Sequence, residues 1–217
     1  MASLLNYFQD ASTFQSEDLG VGVSYMKQTG RVWVLSSWQI VVERYPALGE
    51  RVTVGTVPYD FKRFFGYRNF AMFDEAGERI AVANTLWTLL DLHTGKPVAA
   101  SEELITAYGV GEKLEMEYAP RKIVIPQGGR EESPIVVKKQ HLDTNHHVNN
   151  GQYVDMAMAF LPEDFTIGQL RAEYKKQAFL GDVLSPYVVE EDSKCVINLT
   201  DADQKTYVSV EFLRKEK

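Results

Sequence analysis

Between residues 143 and 153 the chain reads Asp-Thr-Asn-His-His-Val-Asn-Asn-Gly-Gln-Tyr, which sets a carboxylate (Asp143), an amide (Asn145) and an imidazole (His147) at alternate positions. Alternate side chains of an extended loop share one side. A carboxylate can take a proton from water, an amide can orient the water, and an imidazole can position or protonate what reacts. No Ser or Cys stands among them, so the chemistry suggested is attack by water rather than by a side-chain nucleophile. The block runs into a helix start, where Asn149 is a good N-cap and Gln152, three residues on, completes a capping-box pattern. Free N–H groups near Asn150 and Gly151 would face an oxygen developing negative charge, and Gly151 has no side chain to block its approach. A second carboxylate, Glu173, falls on the next strand, from which it could return to the same place.

Plainer readings compete for each residue. Asp143-Thr-Asn145 is also the pattern of an Asx-turn, and Asp, Asn and His are common loop residues. Arg171, Glu173 and Lys175 alternate with Leu170, Ala172 and Tyr174, as an ordinary polar strand face would. His141, Asp143, His146 and His147 are capable metal ligands, but their spacing matches no familiar zinc pattern, and adjacent histidines point apart in an extended chain; no metal is expected. Cys195 lies within an apolar strand and reads as a packed thiol. A nucleophile elbow, a phosphate loop and a dinucleotide fingerprint are all absent, so no cofactor is expected either.

The elements that must position this loop can be read from periodicity. Leu4, Leu5, Phe8 and Ala11 share one face of an amphipathic first helix that Gly20 and Gly22 end. Strand-like runs follow at 31–45, 51–65, 65–73 and 79–92, with turn chemistry at Pro46–Gly49 and Asp74–Gly77. From 109 to 133 Gly, Pro and charge dominate, with Ile123-Val-Ile125 as a possible short strand; this stretch reads as a linker. The second half repeats the order: a strand at 135–140, the polar loop, a helix with Tyr153, Met156, Ala157 and Phe160 on its apolar face that Pro162 stops, then strands at 167–179, 183–190, 194–199 and 206–213. A faint internal echo, Leu48-Gly-Glu50 against Leu180-Gly-Asp182, fits a duplication. The expected fold class is therefore α+β, with two domains, 1–108 and 134–217, each a helix wrapped by a curved antiparallel sheet.

Composition excludes several functions. A net charge of -7 argues against nucleic acid as the general partner. Lys62/Arg63 with Arg68, Arg121/Lys122, Lys138/Lys139 and Lys175/Lys176 could still receive an acidic partner, although solvated faces are the commoner use of such groups. Charge interrupts the apolar runs well short of the roughly 20 residues that span a bilayer, so no membrane association is expected. The N-terminus lacks a secretory signal, and the single Cys fits a reducing compartment, so a cytoplasmic location is expected.

Asp143-x-Asn145-x-His147-Val-Asn-Asn150 followed by an apolar helix resembles the signature of the acyl-acyl carrier protein (acyl-ACP) thioesterases. The resemblance covers most of the chain, including Leu4–Ala11, Trp33–Trp38, Phe61–Arg68 and Leu170–Tyr174, and points to shorter bacterial relatives of the plant FatA and FatB proteins. It implies two tandem hotdog domains and hydrolysis of a fatty acyl thioester of acyl carrier protein. It also implies a catalytic second domain carrying Asp143, Asn145, His147 and Glu173, and a silent first domain that binds the acyl chain. Phe8, Trp33, Trp38 and Met156 are then expected to contact the chain, and Asn150 and Gly151 the thioester. Either Asp143 or Glu173 would activate the water. Two departures stand out. The plant proteins carry a Cys after the glutamate strand, where this chain has Gln177 and Ala178. They also open on a strand, whereas this chain begins on its helix, which would leave one sheet edge unpaired. An acyl-CoA thioesterase and a non-catalytic acyl-binding hotdog pair remain as alternatives; a homodimer is possible.

Overall fold

The computed structural model describes residues 1–215, the Ala2 side chain apart. The chain divides into two compact units, Ser3–Tyr118 and Ala119–Lys217, the second also taking Met1 and Ala2.

In the first unit helix α1 (Ala2–Asp18) is followed by a short helix α2 (Val23–Thr29) and strands β1 (Arg31–Val42), β2 (Thr53–Lys62), β3 (Phe65–Phe73) and β4 (Arg79–Asp91). The strands are antiparallel in the order β2-β3-β4-β1. A bulge at Ser36 changes the parity of β1: Trp33 and Leu35 before it, and Trp38, Ile40 and Val42 after it, all meet odd-numbered residues of β4 between Ala81 and Leu89. One face thus stays apolar through a strand whose sequence alternation slips by one residue. Phe8 of α1 packs onto that face, 6.2 Å from the Trp38 ring and 5.4 Å from Phe70, ring centre to ring centre. Helix α3 (Glu102–Tyr108), capped by the Ser101 side chain, buries Leu104 and Tyr108. Neither α2 nor α3 is marked by apolar periodicity in the sequence; at two turns each they are too short to show it.

In the second unit a two-residue strand β5 (Arg130–Glu131) and a second, β6 (Ile135–Val136), pair with β8. The strand expected at 135–140 thus stops at Val136, and a 3-10 turn at Lys139–His141 leads into the polar loop. Helix α4 (Asn150–Met158) follows, then β7 (Ile167–Tyr174), β8 (Val183–Glu190), β9 (Lys194–Thr200) and β10 (Thr206–Arg214) in the order β7-β10-β9-β8-β5. Leu170, Ala172 and Tyr174 share a face with Val208, Val210 and Phe212, and that face meets α4 through Tyr153, whose ring lies 6.0 Å from Tyr174.

The stretch expected to be a free linker is apportioned between the units and lies on the outer face of each sheet. In the first unit, buried Asn69 accepts from the Leu114 N–H and the Tyr118 hydroxyl, while the Gln39 amide donates to the Glu117 carbonyl. In the second, Ile123 is buried with Val189 and Val196, so Ile123-Val-Ile125 covers the sheet rather than joining it. Among the described residues no helix is long and apolar enough to cross a membrane.

Candidate active site

The polar loop is built by its own first residue. The Asp143 carboxylate accepts through one oxygen, Oδ1, from the backbone N–H of Asn145 (2.8 Å) and of His147 (3.2 Å). The Asp143 N–H in turn donates to the His147 carbonyl at 2.8 Å. His146 takes a left-handed conformation, φ 62°, inside this turn, a state that His tolerates better than most residues. The loop is an Asx-turn, as the plainer reading had it, yet the turn uses only one carboxylate oxygen. Oδ2 has no partner among the described residues. Asn145 is exposed; Asp143 and His147 are half-buried. The His147 ring stands edge-on to Phe179, 4.9 Å between centres.

Helix α4 begins at the expected N-cap but without the expected capping box, since the Gln152 amide donates to Asp155 and the Asn149 N–H to the His141 carbonyl. Asn149 is the N-cap, and its side chain accepts from the Gly151 N–H at 2.8 Å. That occupies one of the two N–H groups expected to face a substrate oxygen. The Asn150 N–H remains without a hydrogen-bonded partner among the described residues. The Asn150 carbonyl accepts from the Tyr174 hydroxyl at 3.0 Å, which fixes the first turn of the helix against β7.

The same contact decides where Glu173 goes. Successive side chains of a strand point to opposite faces, and Tyr174 reaches the helix, so Glu173 lies on the outer face, away from His147. There it is buried (5 % exposed). It accepts from the Ile123 N–H at 3.3 Å, and its carboxylate lies 3.6 Å from Arg121 and 3.4 Å from Lys175. Its neighbour on that face, Arg171, donates to the carbonyls of Pro120 and Lys122 and pairs with Glu211. The expectation that Glu173 returns to the loop therefore needs correction: it holds down the covering segment instead.

What β7 does deliver to the loop is the chain just beyond it. The Val148 N–H donates to the Ala178 carbonyl at 2.9 Å, and the Ala178 N–H donates to the Tyr153 hydroxyl at 2.8 Å. Gln177 and Phe179 thus flank the loop, a placement that follows from backbone pairing and has no signature in side-chain type. Cys195 is buried on the face toward α4, and burial pushes its thiol up to about 11, so it is no nucleophile at neutral pH. Among the described residues no three of His, Cys, Asp and Glu converge as a metal ion would need.

The residues expected to touch an acyl chain lie inside the two units. Phe8 and Trp38 are wholly buried in the ring cluster with Phe70. Trp33 packs on a separate cluster of Val21, Leu89, Leu104 and Tyr108. Met156 is buried on α4. Rings packed in this way leave a filled core, so a chain entering the Phe8–Trp38 cluster must displace them.

Comparison with known proteins gives one consistent result. Residues 1–108 match the family model for the acyl-ACP thioesterase N-terminal domain, and residues 126–212 that for the C-terminal domain. A chloroplastic palmitoyl-acyl carrier protein thioesterase of Gossypium hirsutum is 24% identical over 208 residues, 88% of this chain and 50% of that protein. A dodecanoyl-acyl-carrier-protein hydrolase of Cinnamomum camphora is 24% identical over 205 residues, 85% of this chain and 53% of its own length. The chain thus spans about half the length of the curated relatives it matches. Among solved structures, an acyl-ACP thioesterase from Bacteroides thetaiotaomicron superposes with a TM-score of 0.90 at 23% identity, covering 99% of this chain and 89% of that one. The 12:0-ACP thioesterase from Umbellularia californica gives 0.85 at 20% identity, covering 100% and 90%. These likenesses show the fold, the α+β hotdog architecture expected from the sequence.

Proposed function

Because the chain belongs to the acyl-ACP thioesterase family, we propose that it hydrolyses fatty acyl thioesters of an acyl carrier protein, releasing free fatty acid and carrier thiol. The observation that carries this reading is the Asp143 turn. One carboxylate oxygen closes the loop and so fixes the other, which can take a proton from water.

In this reading Asp143 is the base, and Asn145 and His147 orient the water and the thioester. The water oxygen bonds to the carbonyl carbon while its proton passes to Asp143 Oδ2. The carbonyl oxygen becomes negative and is held by the Asn150 N–H at the start of α4, where the helix dipole adds to the hydrogen bond. When the tetrahedral intermediate collapses, the carbon–sulfur bond breaks and the thiolate leaves with the proton that Asp143 had taken. No acyl-enzyme forms, in keeping with Ala178 beside the loop and the masked thiol of Cys195. Glu173 has no step in this scheme.

The test is a panel of acyl carrier protein and acyl-CoA substrates of graded length, with free thiol and acid both quantified. We expect hydrolysis of the carrier substrates, weakened as salt rises because the partner is acidic. Equal rates on both carriers with no salt dependence would make this a CoA thioesterase instead. Absence of thiol release from every substrate would leave an acyl-binding pair.

A further inference from the structure

The strip of chain beside the loop has a second property. Residues 178–183 are tied on one side to the loop, through the Val148 N–H and the Ala178 carbonyl. On the other side they are tied to residues 136–137: the Gly181 N–H donates to the Val137 carbonyl at 3.0 Å, and the Val137 N–H to the Asp182 carbonyl at 2.9 Å. Along this strip the apolar side chains face solvent. Phe179 is 50% exposed, Leu180 54%, Val183 45%, and Val136, paired directly with Val183, 49%. Four large apolar groups on adjoining segments make a patch, which isolated exposed residues do not.

Charge at its border selects the partner. Lys138 and Lys139 follow Val136 and Val137 directly, are exposed, and have no carboxylate partner among the described residues. The neighbouring Lys175 and Lys176 are already engaged, with Glu173 and with Asp201. Asp182, the acid within the strip, accepts from the Phe179 N–H and the Tyr207 hydroxyl. An apolar strip edged by two unneutralised lysines, in a protein of net charge -7, fits an acidic partner with an apolar contact face. Long-range repulsion from the rest of the molecule would turn such a partner toward this edge.

The geometry points to Val136, Lys138, Lys139, Phe179, Leu180 and Val183 as the surface on which the acidic carrier protein docks. This rests on the reading given above that the substrate is carrier-bound. Phe179 links the two functions, because its ring touches His147 on one side and belongs to the strip on the other. A thioester presented on a flexible arm by a carrier seated here would enter beside the catalytic loop.

Two variants test it without touching the loop: Lys138→Glu with Lys139→Glu, and Leu180→Asp. The first readout is hydrolysis of one acyl group presented on carrier protein and on a small neutral thiol, N-acetylcysteamine. We expect KM for the carrier substrate to rise about tenfold or more in either variant, with kcat and the N-acetylcysteamine rate held within about twofold. Matching losses on both substrates, or an unchanged KM for the carrier substrate, would overturn the assignment. The second readout is direct titration with a carrier protein bearing its acyl chain through a non-hydrolysable amide, which needs no turnover. Binding by the native protein that weakens about tenfold in the variants supports the surface; binding that is unchanged, or absent in the native protein, sinks it. If the native protein binds the carrier but hydrolyses nothing, the catalytic reading fails while the docking surface stands.

Discussion

Asn69 in the first unit and Glu173 in the second hold corresponding places. Each is a buried polar residue on the outer face of an antiparallel sheet, and each accepts a backbone N–H from the segment crossing that face, Leu114 for Asn69 and Ile123 for Glu173. The second unit carries a further carboxylate beside a helix start. There α4 is preceded by the Asp143 turn, which leaves one carboxylate oxygen uncommitted. The lesson is that burial and charge on a strand do not make an acid catalytic. In the mechanism proposed above, the carboxylate with chemistry to do is the one whose second oxygen the fold leaves uncommitted.

That contrast can be broken or sharpened by substitution. The largest effect belongs to the loop: Asp143→Asn keeps an acceptor for the turn but removes the base, and His147→Ala removes the imidazole. Each should lower kcat by about two decades or more with the melting temperature unchanged; turnover near the native rate would take that residue out of the mechanism. Next comes Glu173→Ala, which strips the Ile123 N–H of its acceptor and should cost about 1–3 kcal/mol of stability in denaturant titrations, while folded protein keeps kcat within about threefold. A two-decade loss of kcat at native stability would return Glu173 to the active site. Asn69→Ala removes the matching anchor, and again about 1–3 kcal/mol is expected with little change in kcat. The smallest effect is that of Asn149→Ala, which uncaps α4 at a cost of about 1 kcal/mol.

The parts of this molecule legible in the sequence were those whose signal is local. Asp143, Asn145, His147 and the Asn149 cap lie within seven residues, and the turn they form is made almost wholly from their own backbone. The long strands and α1 showed because their apolar spacing repeats over several turns or pleats. The place of Glu173 is not legible in the sequence, because alternation says which residues share a face, not which face meets the helix. Its alternation with Arg171 and Lys175 was in fact the sign of an outer face, and the Tyr174 hydroxyl settles the matter only in three dimensions. Gln177 and Phe179 reach the loop through a backbone pair 30 residues apart in sequence, Val148 with Ala178, for which no residue type codes. The Gly- and Pro-rich stretch read as a free linker because its partners, Asn69, Gln39, Arg171 and Glu173, are all distant along the chain.

That covering stretch has a consequence for handling the protein. Composition marks Gly109 to Pro134 as the place where trypsin should nick the chain, with Lys113, Arg121, Lys122 and Arg130 offering the cleavable bonds. Yet Lys113 lies 3.6 Å from the centre of the Tyr118 ring, Arg121 beside Glu173, the Lys122 carbonyl under Arg171, and Arg130 in β5 beside Glu132 and Glu190. A protease must lift a run of backbone into its cleft, and here that means stripping buried side chains of their partners first. The seam that looks easiest to cut should outlast the exposed Lys138-Lys139 edge under limited digestion.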